Sequence, residues 1–353
     1  MRHFRYSFFV AILCLGLAFF WGQTSAVGGW SAVTLAVLLG IMEVSLSFDN
    51  AVVNASVLKE MDEKWRQIFL TVGILIAVFG MRLLFPIAVV AVATSQGIFE
   101  VAQMALRTPE VYAQHLTDAH AGIAAFGGMF LLLVFLSFLF DEGKELHWLG
   151  KIEEHLSKLG KLDSVGIICA LGALLVAQAF LPVSTATRLT IVVAGIGGVF
   201  LYVVVDSIGG FFEENESGVA GSAVKRAGVM SFLYLEVLDA SFSFDGVIGA
   251  FAVTRDVVIV MLGLAIGAMF VRSLTVYLVE KNTLDEYVFL EHGAHYAIGA
   301  LACIMFGSIV WHISEVVTGL IGVGFIIAAL ISSMLHKKKN PDDDEAVIAA
   351  AIE

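Results

Sequence analysis

Proline and cysteine are scarce in this chain, with four and three residues among 353. Cys14, Cys169 and Cys303 lie far apart in separate apolar segments, with no Cys-x-x-Cys pair and no alternation with histidine. That pattern excludes a disulfide framework and a thiolate metal site, and leaves three small core residues. There is no His-Glu-x-x-His pair for metalloprotease chemistry and no GxxxxGK loop for nucleotide phosphates, so the sequence does not read as an enzyme. Charge is also sparse, at 15% of residues, and what there is leans acidic, 32 Asp and Glu against 20 Lys and Arg. A net charge of -12 gives no basic face for nucleic acid, and part of the excess sits in a solvated tail at 337-353 containing Asp342, Asp343, Asp344 and Glu345.

What fills the chain is apolar. Hydrophobic residues make up 59% and the mean hydropathy is +0.91, well outside the range of soluble domains. Runs long enough to cross a bilayer fall at 7-22, 30-58, 68-95, 123-140, 164-183, 189-210, 229-254, 257-280, 296-311 and 315-336. The sequence therefore predicts an all-α polytopic bundle of about ten spans, with the lipid bilayer as its first partner. Residues 1-29, opening with Arg2 and Arg5, read either as a cleaved signal peptide or as a retained leader helix. With the N-terminus inside, fifteen of the Lys and Arg residues fall on the cytoplasmic side, and only Arg107, Arg188 and Arg255 fall outside. That bias places both ends in the cytoplasm, unless the leader is removed.

The second run contains Glu43-Val44-Ser45-Leu46-Ser47-Phe48-Asp49-Asn50. A charged residue at the centre of a membrane helix costs roughly 2.5 to 3.5 kcal/mol, so two of them call for a compensating partner. The pattern returns as Asp239-Ala240-Ser241-Phe242-Ser243-Phe244-Asp245-Gly246, in a run of opposite direction. Behind each copy, Gly73 precedes Arg82 and Gly263 precedes Arg272 by nine residues, and His120 and His295 open similar third segments. The expected architecture is a pair of inverted three-helix repeats within a 30-336 membrane domain, at about 30-140 and 229-311, linked by the helices at 164-210. Secondary transporters are built this way, with polar groups at midplane.

Residues six apart on a straight helix differ by about 240° in direction. Glu43, Ser47, Asn50 and Asn54 share one face, Glu236, Asp239 and Ser243 share another, and Asp49 and Asp245 point elsewhere. Either the motif helices unwind near Ser-Phe-Asp, or the acids serve different shells. Glu43, Asp49, Glu236, Asp239 and Asp245 outnumber Arg82 and Arg272, and the surplus suits a bound cation together with protonation of one carboxyl. Carboxylate and amide oxygens, with Asn50 as a ligand and Ser47, Asn54 and Ser243 as auxiliary ones, favour Mn, Ca or Mg. The arginines either lock the helices or neutralise the acids when the cation is absent. His120 and His295 are packing residues or, given their matched positions, gate or proton-relay groups. The plainer reading of all these charges is structural ion pairing.

These residues resemble the TerC family of integral membrane proteins, related to the LysE-type exporters. The resemblance rests on Glu43-x-x-Leu46-Ser47-x-Asp49-Asn50, on Glu236-x-x-Asp239-x-x-Phe242-Ser243-x-Asp245, on the two Gly-x8-Arg helices and on Ala125-Phe126-Gly127-Gly128-x-Phe130-Leu131-Leu132. It covers roughly residues 30 to 311. It implies a bacterial inner-membrane protein that exports a divalent cation, manganese foremost, as transported substrate with no prosthetic group. The chain departs from the family at Gly246, where serine is common, and in its extra helices. The alternative expectation is a membrane scaffold that helps other proteins fold, insert or acquire metal.

Overall fold

The computed structural model describes residues 4-25, 27-144, 146-162, 164-213 and 220-339, so the expected tail beyond 339 lies outside the described residues. In chain order the helices are α1 (Arg5–Thr24), α2 (Gly29–Leu46), α3 (Phe48–Glu60), α4 (Glu63–Leu75), a π-helical segment (Ile76–Leu84), α5 (Phe85–Thr94), α6 (Ile98–Arg107), α7 (Pro109–Asp118), α8 (His120–Leu139) and α9 (Lys151–Ser157). A short 3-10 turn (Lys158–Lys161) follows. Then come α10 (Val165–Phe180), α11 (Thr185–Glu213), α12 (Ala220–Val253), α13 (Val257–Glu280), α14 (Thr283–Glu286), α15 (Leu290–Ser308) and α16 (Glu315–Lys339). No strand occurs among the described residues.

Every apolar run falls on helix, but length and composition qualify fewer than ten of them as spans. Among the described residues seven helices are long and apolar enough to cross a membrane, or eight if the bent α9–α10 pair counts as one. The shortfall has a chemical origin. α15 carries Glu291, His292 and His295 within 19 residues, and α12 carries the acids of the second motif. The polar residues that mark a site also lower the hydropathy by which a span is recognised.

α13 lies at the centre, the most enclosed of the seven, with α1, α2, α3, α12 and the π segment around it. Its contact with α2 depends on two glycines one turn apart. A Cβ on Gly263 would strike Leu39, and one on Gly267 would strike the Glu43 side chain, so the missing side chains let α2 lie close and seat Glu43 against α13 backbone. On the other side of the bundle α8 packs against α11 and α15. There Gly198 meets the Phe126 carbonyl and Gly127 meets Met305, so both glycines let the helices approach closely.

α1 is docked along its length. Ser7, Ala11, Cys14, Ala18 and Gly22 form its buried stripe. Ser7 Oγ donates to the Met269 carbonyl at 2.7 Å, and Trp21 Nε1 donates to Asp256 at 2.9 Å near the start of α13. Asp256 also caps α13, accepting from the amides of Val258 and Ile259 at 3.0 and 3.2 Å.

The third expected run is not one regular helix. Between α4 and α5 nine residues adopt π geometry, in which each amide reaches back five residues, as the Phe85 amide does to the Gly80 carbonyl. Pro86 follows at once, with no N–H to offer the Arg82 carbonyl four residues back and with a ring that crowds it. The wider turn upstream accommodates that defect.

Candidate cation site within the bundle

The first motif breaks at Ser47, which separates α2 from α3 with φ -104 and ψ 18. The break is shallow. The Ser47 amide still reaches the Glu43 carbonyl at 3.0 Å, and the Ala51 amide reaches the Ser47 carbonyl at 3.1 Å. The second motif differs from expectation, because α12 runs through Ser243 and Asp245 as unbroken helix. The π geometry of the Arg82 helix is likewise absent from α13, which stays α-helical through Arg272. The side chains of Ser243 and Asp245, both expected as ligands, lie outside the described residues.

Glu43, Asn50, Asn54, Arg82, Glu236, Asp239 and Arg272 are all buried, none more than 8% exposed, inside an apolar bundle where each must find compensation. Arg82 is the hub. Its Nη2 pairs with Glu43 Oε1, its Nη1 donates to the Ala77 carbonyl at 2.6 Å, and the same Nη1 lies 4.0 Å from Asp239 Oδ2. Ser47 Oγ adds a hydrogen bond to Glu43 Oε1 at 3.2 Å. Asn50 joins the two halves of the chain, its Nδ2 donating to Asp239 Oδ1 at 2.8 Å. The face of Glu43, Ser47 and Asn50 predicted from helical geometry thus forms one polar surface with Asp239. Asn54 and Asp239 line a cavity of about 20 Å³ with Arg82, Arg272 and Thr275, room for about one water-sized occupant.

Several acceptors in this cluster are unspent. Asn50 Oδ1, Asn54 Oδ1 and both oxygens of Glu236 are buried with no hydrogen-bond partner. Arg272 leaves Nε and Nη2 without one and lays its guanidinium 3.6 Å over the Phe69 ring, a cation–π contact that no sequence signal announced. Gly73 lies against both Arg272 Nη2 and Glu236 Oε1, and any side chain there would strike them. Gly246 leaves space for Glu43 in the same way, since a Cβ on it would stand 2.8 Å from Glu43 Oε2. The departure from the TerC pattern therefore falls beside the buried acid it makes room for.

Asp49, expected as a ligand beside Glu43, does not join this cluster. It is buried on the opposite face of α3, where Asn50 N–H donates to Oδ1 at 3.0 Å and Gly322 of α16 approaches Oδ2. A cavity of about 10 Å³ lies there, bordered by Leu301 and Ile304 of α15 and Thr318 of α16. The two acids of the first motif serve different surroundings, as the 240° separation requires when the break is shallow. Among the described residues no three His, Cys, Asp or Glu side chains converge as a ready metal-ligating group. What stands between Glu43 and Asp239 is the Arg82 guanidinium.

The histidines are remote from the cluster and lie toward opposite ends of the bundle. His120 Nε2 meets Ser308 Oγ at 3.1 Å and lines a cavity of about 470 Å³ with Glu110, Arg255 and His312. His295 Nδ1 meets its own helix at the Glu291 carbonyl, 3.0 Å, and its ring stacks on Phe138 with centroids 4.0 Å apart. A second cavity of about 470 Å³ opens at the other end of α13, between Leu58, Arg66, Gln67 and Val279.

The sequence model of one family, described as "Protein of unknown function (DUF475)", matches residues 48-340. Among curated proteins and solved structures, none matches the chain.

Proposed function

The chain belongs to that family, and from this premise and the buried cluster we propose that it is a transporter, not an enzyme, whose substrate is a hard divalent cation. Mn(II) is the leading candidate, with Ca(II) and Mg(II) behind it. The observation that carries the reading is the link between the two motifs. Glu43 and Asp239, acids from matched segments nearly two hundred residues apart, are bound into one buried network by Arg82 and Asn50. Carboxylate and amide oxygens without partners surround it, the hard-donor set that suits these ions. Asp239, Asn50, Asn54, Glu43 and Glu236 would hold the ion, with Ser47 as an auxiliary donor.

Each motif helix packs against the arginine-bearing helix of the other half, α2 on α13 and α12 on the π segment. That exchange supports inverted repeats rocking about a midplane site, in a bundle of about ten spans with both ends in the cytoplasm of a bacterial inner membrane. Proton coupling is part of the proposal. Asp49, in its own cavity apart from the ion site, is a better placed carrier than His120 or His295. The scaffold reading draws on the completeness of the Glu43–Arg82–Ala77 connections, which also suit a structural lock.

Reconstitution into liposomes separates the two. Mn(II) efflux that is lost in Asp239→Asn and in Asp49→Asn, with both variants inserted and folded, is the expected result. Mn(II) binding should fall more than about tenfold in the first and stay within about threefold in the second. No movement of Mn(II) under any imposed gradient would leave the scaffold as the function.

A further inference from the structure

The two matched arginines occupy different positions. Arg272 lies on the Phe69 ring with no carboxylate within 4.0 Å among the described residues, whereas Arg82 stands between the two acids that the proposed ion would need. Its support is local and unusual. Inside the π segment the Ala77 carbonyl, five residues before Arg82, accepts from Arg82 Nη1, so backbone and side chain together hold the guanidinium against Glu43 and toward Asp239.

Charge sets Arg82 and a bound dication in competition for the same two acids. Glu43, Asp239 and Arg82 together leave one negative charge, and adding a dication beside them would leave one positive charge in a cavity of about 20 Å³. At separations of a few ångströms, like charges in so poorly solvated a site repel by several kcal/mol. Glu236 and Arg272 contribute opposite charges that cancel, so they do not relieve the conflict.

We propose that Arg82 is a tethered stand-in for the transported ion: it neutralises Glu43 and Asp239 in the empty site, and the incoming dication displaces it. The π segment supplies the movement. Returning its extra turn to α geometry breaks the Arg82–Ala77 contact and rotates the guanidinium away from the acids, so occupancy of the site is coupled to the shape of the helix. An empty transporter then crosses the membrane with its carboxylates already compensated, and it need not carry bare charge through the apolar core. This inference rests on the transport reading.

The test uses the full chain in lipid nanodiscs with Mn(II) as the probe. Arg82→Gln removes the competitor. If the guanidinium occupies the site about nine-tenths of the time, apparent Mn(II) affinity should rise about tenfold in this variant. The return of the empty carrier, read as Mn(II)/Mn(II) exchange against net efflux in liposomes, should slow while exchange persists. Arg82→Lys, which keeps the charge, should bind close to the wild type. Affinity unchanged or weakened in a folded Arg82→Gln protein overturns the stand-in role and leaves transport intact. Where Arg82→Gln does not fold, the wild type decides: infrared bands of 15N-labelled guanidinium, assigned to Arg82 by their loss in Arg82→Lys, should shift on saturation with Mn(II). An unchanged band refutes displacement. Mn(II) binding that is absent from the wild type, or indifferent to Asp239→Asn, removes the ion site and this inference with it.

Discussion

Asn50 Nδ2 donates to the Asp239 carboxylate at 2.8 Å, and the backbone amide of the same Asn50 donates to Asp49. One residue therefore touches acids on both faces of α3. Replacing Asn50 with Ala removes the direct donor to a buried carboxylate, at a cost of about 1.5 to 3 kcal/mol. The variant should unfold at lower temperature in detergent, and Asn50→Asp should be worse, because it sets a second carboxylate against Asp239. Equal melting of wild type and Asn50→Ala would mean that the Asn50–Asp239 hydrogen bond adds nothing to the union of the two halves.

Gly246 and Gly267 both leave space that Glu43 occupies, but their substitution should have different effects. A Cβ at Gly267 meets the Glu43 stem beside the α2–α13 contact, so Gly267→Ala should overpack the core by about 1 to 3 kcal/mol and lower thermal stability. A Cβ at Gly246 meets only the carboxylate oxygen at the end of the side chain. Gly246→Ala should therefore spare stability and change ion affinity. A Gly246→Ala protein with unaltered Mn(II) binding would separate Glu43 from the ion site.

Glu153 lies outside the spanning helices, fully enclosed, with Lys144 Nζ at 2.8 Å, the Leu149 amide at 3.1 Å and His292 Nε2 at 3.5 Å. Burial alone would raise its pKa, but the Lys144 and Leu149 hydrogen bonds and the Lys144 and His292 charges outweigh it and hold the carboxyl below its ordinary value. A carboxyl depressed in the folded state contributes stability above its unfolded pKa, and that contribution is lost as pH falls through the folded one. Thermal stability of the wild type should fall with acid below an ordinary glutamate pKa of about 4.3, and Glu153→Gln should flatten that part of the profile. Parallel profiles for the two proteins would dissociate Glu153 from acid stability.

Much of this was readable in the residues. Apolar runs located the helices, and the matched spacing of Gly73–Arg82 and Gly263–Arg272 picked out two arginines that the fold buries beside the acids. The 240° argument left two outcomes for Glu43 and Asp49, an unwound helix that unites them or separate surroundings, and the shallow break at Ser47 keeps them apart. The π turn was not found because hydropathy is blind to one inserted residue, although Pro86, four positions beyond Arg82, was a signal for a defect there. Unwinding at Ser243-Phe244-Asp245 was one of two expectations, based on the bend that paired serines can cause, and α12 stays helical through that position. Serine pairs permit a bend without compelling one. The Phe69 seat of Arg272 had no periodicity or motif to reveal it, since an aromatic in an apolar run looks like any other core residue.

The hydrogen bond from Ser7 to the Met269 carbonyl has a consequence for biosynthesis. Ser7 is fully enclosed, and its acceptor lies 262 residues later in the chain. At roughly 5 to 20 residues per second, α1 waits between about ten and fifty seconds for that acceptor to be made. Until then its hydroxyl has only its own helix to turn to, while Gly22 at the other end of the stripe can already meet Ala32 of α2. The seat of α1 on α13 is therefore completed only late in synthesis, by a contact that spans most of the membrane domain.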